Sequence, residues 1–235
     1  MRSGDSAGEI AGDSAGESAL GNEARVTSLS ESGIALDGRS IGKRGSETRR
    51  RILTTTAEIL EIGGINELRV VDIARSVGCS PATFYQYFRD SSAAVLALAE
   101  EVGEETIPLG AQLRVDWHGP DGPEASRRLV DGFVQYWDAH RAVLRTRNLA
   151  AQEGDTRFRE VRNRALRPLT EGLALLIAES SVGRVTELKP YAAAAALVAM
   201  LERMAEFHSD LEGYGVSRDD VVTTTALIIH ATVTS

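Results

Sequence analysis

The stretch DIARSVGCSPATFYQYF, Asp72 to Phe88, carries one glycine, a Ser-Pro pair and four aromatic residues in 17 positions, in a chain that is only 5% aromatic. Gly78 offers a left-handed turn at no steric cost, so it ends one short helix. Ser80 then reads as an N-cap with Pro81 at the first helical position, where the missing N–H is harmless. Two short helices joined this tightly must cross closely, which accounts for the small Ala74. Ile73, Val77, Phe84 and Phe88 are spaced to fill a core beneath the second of them. Tyr85 and Tyr87 are left outward or sideways, with hydroxyls able to reach phosphate oxygens.

The flanking sequence predicts helices throughout. Ser46 reads as the N-cap of a first helix whose stripe is Ile52, Leu53, Ile59, Leu60 and Ile62, ended by Gly63-Gly64. Val70–Val77 and Ser80–Tyr87 follow. A fourth helix begins near Asp90 or Ser91, with Pro108 as a kink or an interruption. Trp117–Glu124 is a loop. Beyond it, Leu129, Phe133, Tyr136/Trp137, His140 and Leu144 share one face. A long helix over about 156–180 carries Pro168 as an expected kink, and SVGRVTELKP (181–190) breaks the pattern. Helices over about 189–211 (Ala195, Val198, Leu201, Ala205) and 217–234 (Val221, Thr225, Ile228/Ile229, Thr232) complete the chain. No strand is expected, so the fold class is all-α: a three-helix N-terminal unit followed by a helical bundle.

Charge divides the chain in the same way. Its formal net charge is −8, which by itself argues against nucleic acid. By segment, residues 1–42 carry −4, residues 43–90 carry +2 and residues 91–235 carry −6. The basic segment contains the glycine turn, and local charge governs phosphate binding. Residues 1–42, with DSAGE twice, read as a disordered acidic low-complexity tail, or as the product of a start placed too far upstream. Residues 43–90 and 91–235 read as two separate domains. No apolar run is long enough for a membrane span and no secretion signal is visible. The single cysteine, Cys79, forbids an internal disulfide and fits a reducing cytoplasm; it reads as a packed small hydrophobe.

Three short helices with a glycine turn between the second and third make a helix-turn-helix. RRILTTTAEILEIGGINELRVVDIARSVGCSPATFYQYF resembles the DNA-binding domain of the Tet repressor (TetR) family of bacterial transcriptional regulators, over about residues 48–98 without gaps. The resemblance implies that residues 43–90 are the DNA-binding domain and 91–235 the effector-binding and dimerisation domain of a homodimer on a pseudo-palindromic double-stranded operator, released by a small molecule bound in the second domain. It places Ser80, Pro81, Ala82 and Thr83 at the DNA, the last three at base edges. Tyr85, Gln86 and Tyr87 fall at phosphates or thymine methyls, and Thr83 and Gln86 are the base-edge hydrogen-bond formers. Two departures stand out. Arg69 replaces the usual threonine cap of the second helix and becomes a phosphate contact. Ser91 replaces the lysine that usually opens the fourth helix, which weakens DNA binding and its salt slope. Lys43, Arg44 and Arg49, within a basic cluster that also holds Arg50 and Arg51, are expected to compensate from the first helix.

The second domain carries the effector candidates. Phe133, Tyr136, Trp137, His140, Met200, Met204 and Phe207 are expected to line a pocket between helices, although for each of them plain core is the competing role. Arg145, Asn148 and Gln152, one helical turn apart, are a possible polar anchor or simply a solvated face. With no Lys/Arg cluster on an apolar stripe, a mainly apolar effector is expected. The four histidines lie far apart without ligand spacing, so no metal and no cofactor are expected. No nucleophile–base frame, phosphate loop or carboxylate dyad points to an enzyme. The small face of Ala192, Ala195 and Ala199 with Ile228/Ile229 marks the last two helices as a dimer interface. The alternative function is a helical ligand-sensing or scaffolding protein with weakened DNA binding.

Overall fold

The computed structural model describes residues 42–180 and 188–235, and every regular element among them is helical. The expected tail and most of the 181–190 break lie outside the described residues.

Helix α1 (Lys43–Gly63) starts from an extended Gly42, four residues before the expected cap at Ser46. Its buried stripe is Ile52, Leu53 and Leu60 with Thr55 and Thr56. Thr56 donates to the Ile52 carbonyl at 2.7 Å, so its burial strands no polar group. Ile62 does not belong to the stripe and is 90% exposed, because a residue two places beyond Leu60 faces the opposite side of a helix.

A 3₁₀ turn, Ile65–Glu67, leads to α2 (Val70–Val77) and α3 (Pro81–Tyr87). Gly78 joins them at φ 74°, ψ 35°. The Cys79 N–H donates to the Ala74 carbonyl at 2.9 Å and the Gly78 N–H to that of Arg75 at 3.0 Å. That pair of bonds is a Schellman closure and satisfies carbonyls that α2 would otherwise orphan. Cys79 packs against the edge of the core.

Helix α4 (Ser91–Glu104) is capped by Asp90, which accepts from the Ala93 N–H at 2.7 Å. Pro108 interrupts rather than kinks: α4 ends, and a separate short α5 (Ile107–Ala111) carries the proline in its first turn. The body then comprises α6 (Gly122–Gln152), α7 (Thr156–Ser180), α8 (Pro190–Leu211) and α9 (Arg218–Val233). α7 runs through Pro168 without ending. α6 leaves helical geometry once, at His140 (φ −129°, ψ 21°). A reciprocal Ser217–Asp220 capping box opens α9.

α8 packs along α7 and α9 along α6, while α4 lies on α7 and α6, and α1 meets both α4 and α6. One continuous apolar core therefore runs from Ile52 to Val233. The expected stripes hold on both helices, with Val198, Leu201 and Ala205 buried on α8 and Val221 and Thr225 on α9, and differ at single positions. On α8 Ala194 takes the buried place expected of Ala195; on α9 Ile229 of the expected Ile228/Ile229 pair is buried, whereas Ile228 is 45% exposed.

Candidate nucleic-acid interface and regulatory core

The α3 helix stands on an aromatic base. Phe84 is fully buried and Phe88 nearly so, their ring centroids 5.7 Å apart. The Ser80 Oγ accepts from the Thr83 N–H at 3.1 Å and lies 3.0 Å from Thr83 Oγ1. Cap and core together fix the helix, so its other face is presented rigidly. That face carries exposed Ser80, Pro81, Ala82, Tyr85 and Gln86, with Thr83 and Tyr87 half-buried at its margins. Tyr85 stacks edge-on against Phe84 and keeps half of its surface in solvent.

The basic residues around α3 divide into two groups. Lys43 and Arg44 are exposed at the start of α1, and Arg69 is exposed where α2 begins. Arg69 makes no side-chain cap. The others are engaged by the protein. Arg50 pairs with Glu47 at 2.7 Å. Arg51 donates to the Val77 carbonyl, bracing α1 against the end of α2. Arg49 meets Glu101 on α4 at 2.7 Å and lies over the Phe88 ring, 5.4 Å from its centroid. Arg49 thus ties the reading unit to α4. Beside this pair a cleft of about 190 Å³ opens between α4 and α7, lined in part by Glu104, Ile107, Arg164 and Pro168.

Residues 52–101 match the family described as "Bacterial regulatory proteins, tetR family", and residues 111–235 match the "Tetracyclin repressor-like, C-terminal domain". The second match alone spans more than half of the chain. This chain belongs to the TetR family. It is 27% identical over 166 residues to the HTH-type transcriptional regulator EthR of Mycolicibacterium smegmatis, covering 70% of this chain and 76% of that protein. The EthR of Mycobacterium tuberculosis H37Rv is 26% identical over 116 residues, covering 49% of this chain and 54% of the relative. Among solved structures, a TetR-family transcriptional regulator from Rhodococcus sp. aligns with a TM-score of 0.61 at 19% identity, over 80% of this chain and all of that one. FadR from Bacillus subtilis, solved with stearoyl-CoA, aligns with a TM-score of 0.57 at 13% identity, over 79% of this chain and 97% of that one.

In the TetR body the effector candidates fall into two sets. On α6, Phe133 and Trp137 are fully buried and Tyr136 is 7% exposed, with the Phe133 and Tyr136 centroids 5.8 Å apart. His140 continues this set, 5.6 Å from the Tyr136 ring and 2.8 Å from Glu105 Oε2. On α8, Met200, Met204 and Phe207 are only half-buried. Met200 packs on the core edge, and Phe207 lies beneath the Arg203 guanidinium, 4.6 Å from its centroid.

The sequence reading missed the charges inside this body. Arg147 is 1% exposed and Glu202 is 5% exposed. Glu202 accepts from Arg147 at 3.3 Å through one oxygen and from Arg162 through the other. His208, 6% exposed, meets Asp138 at 2.7 Å, and Arg141 holds the same carboxylate at 2.7 Å. Burial raises the Asp138 pKa, but the hydrogen bonds from His208 and Arg141 outweigh it and leave the carboxyl below its usual range. The signal was present in the periodicity. Arg147 stands three residues beyond Leu144 on the α6 stripe, and Glu202 and His208 fall on the α8 stripe of Ala194, Val198, Leu201 and Ala205. Arg145 and Gln152, weighed as anchors, are exposed; Asn148 alone of that trio turns inward, accepting from Arg147.

Proposed function

We propose that this protein is a one-component repressor in the cytoplasm: a homodimer that grips a pseudo-palindromic operator through α3 and releases it when a small, mainly apolar molecule enters the body. The observation that carries this is the α3 face itself, exposed along Pro81, Ala82, Tyr85 and Gln86 yet held from behind by buried Phe84 and Phe88. Thr83 and Gln86 read base edges, where hydrogen bonds specify sequence. Ser80, Tyr85, Tyr87, Arg69, Lys43 and Arg44 hold phosphates. Arg49, engaged by Glu101, passes the position of α4 to α1. Residues 43–90 act as the reading domain and residues 91–235 as the regulatory and dimerising one. No chemical step is assigned to the protein.

The dimer interface falls on α8 and α9, joined by α7. Ala192, Ala195 and Ala199 are exposed along α8, and Tyr191, Leu227, Ile228 and Leu175 leave 45–64% of their surfaces in solvent. An apolar face of this kind, lined by small residues, suits close packing of helices across a two-fold axis. Two such heads present α3 twice, as paired half-sites require. The solved FadR bound to stearoyl-CoA supports a fold of this kind accommodating a ligand with a long apolar part.

Selection of genomic fragments by the purified protein, with light scattering on the same sample, tests the proposal. A dimer enriching one pseudo-palindromic sequence, with affinity that falls as salt rises, is the expected result. A monomer, or a protein that enriches no sequence at any salt concentration, overturns it in favour of a ligand-sensing or scaffolding role.

A further inference from the structure

The uncompensated positive charge of the head is confined to a few residues. Arg49, Arg50, Arg75 and Arg89 each sit against an acid: Glu101, Glu47, Asp72 and Asp90 in turn. Arg51 is turned onto the Val77 carbonyl. Lys43, Arg44 and Arg69 are exposed and have no ion-pair partner among the described residues. Lys43 and Arg44 are the first two residues of α1, directly after the point where residues 1–41 join through Gly42.

The segment that joins there has the opposite charge and concentrates it. Between Arg2 and Arg25 stand five acids and no base: Asp5, Glu9, Asp13 and Glu17, one every fourth residue, and then Glu23. The body, at −6, repels such a segment, whereas residues 43–90, at +2, attract it. Reach sets no limit. Glu23 lies 20 residues before Lys43. A chain of that length extends to at most about 65 Å, and the 21 residues of α1 measure about 30 Å. Covalent attachment holds the segment near the head at an effective concentration on the order of millimolar. Several exposed ion pairs, each weak alone, therefore suffice for it to be bound much of the time.

We propose that the acidic segment Asp5–Glu23 seats on Lys43, Arg44 and Arg69 and competes there with DNA phosphates, so that the chain carries its own electrostatic brake on DNA binding. This rests on the DNA-binding reading above and adds an intramolecular competitor to it. The brake acts on backbone contacts, which every duplex offers, and leaves sequence preference to Thr83 and Gln86. Because the seating is electrostatic, it weakens as salt rises. DNA that displaces the segment leaves its carboxylates to take up counterions again, so affinity depends less steeply on salt than it would without those acids.

Two measurements on the full chain test this. The sequence holds two lysines, Lys43 in the head and Lys189 in the body, both exposed. Carbodiimide coupling joins carboxylates to amines, and mass spectrometry of the digest locates the products. Carboxylates of Asp5–Glu23 should couple to Lys43 several-fold more than to Lys189, and high salt or an added duplex of random sequence should remove the excess. The second measurement is an anisotropy titration of that random duplex. The variant Asp5→Asn/Glu9→Gln/Asp13→Asn/Glu17→Gln/Glu23→Gln should bind it about tenfold tighter at low salt, with a salt slope steeper by about one to three, one for each cation released. Five exposed body acids are neutralised as the control for net charge, in Asp121→Asn/Glu153→Gln/Glu160→Gln/Asp210→Asn/Glu212→Gln, and that chain should stay near the parent. Equal coupling to the two lysines, coupling to Lys43 that salt leaves unchanged, or a tail variant that matches the body control overturns the proposal. If none of the chains binds the duplex at any salt concentration, the DNA-binding reading fails, and the coupling pattern alone decides whether the segment sits on the head.

Discussion

Among the described side chains of residues 43–90 the only polar ones withdrawn from solvent are Thr55 and Thr56, whereas in the body Arg147, Glu202 and His208 are as buried as the leucines around them. The head keeps an apolar interior and turns its functional groups outward, because its partner is a large polyanion that stays outside. The body turns charge inward, where an ion costs far more to leave unpaired and where a small molecule can be enclosed. The same core connects the two, with Arg49–Glu101 as a bridge at the boundary.

Substitutions can break this contrast, and the largest effect belongs to the head's interior. Phe84→Ala empties the support beneath α3 and should cost about 3–5 kcal/mol, read by chemical denaturation, with operator binding lost alongside. Glu202→Gln strikes the body's interior instead. It leaves Arg147 and Arg162 without their shared carboxylate and should cost about 3 kcal/mol, while the fraction that remains folded keeps its operator affinity. A Glu202→Gln protein as stable as the parent would mean that the inward charges carry no energetic weight. Gly78→Ala is the smallest of the three. The left-handed backbone at φ 74° costs a non-glycine residue about 1–2 kcal/mol. The nearest atom to an added Cβ is Arg51 Nη2 at 3.9 Å, so the effect is conformational rather than steric, and it should appear as a lowered melting temperature.

The same contrast explains what was legible in the sequence. Gly78, Ser80, Pro81, Phe84 and Phe88 each have a job that allows few residue types at a set spacing, so the turn, the cap and the core of the head could be read directly. Helix boundaries in the body were also readable, because Pro190 and the Ser217 cap punctuate the chain. The inward charges were not. Arg147 interrupts an apolar stripe whose periodicity continues through it, and a charged residue next to exposed Arg145 looks like part of the wet face. Periodicity puts Arg147 on the stripe, but only packing brings Glu202, 55 residues away in sequence, to meet it. Ile62 shows the converse case: an isoleucine close to a stripe but rotated off it. Arg49 shows a third. A cation in a basic cluster reads as a phosphate ligand until Glu101 is brought beside it by the fold.

The central claim is that α3 reads DNA with Thr83 at the bases and Tyr87 at the backbone. Competition binding of Thr83→Ala and Tyr87→Phe across a panel of single-base operator variants tests it most directly. Thr83→Ala should lose about 1–3 kcal/mol of discrimination at one operator position, and Tyr87→Phe should weaken every variant equally. A Thr83→Ala protein with the parent's preference profile would contradict the account.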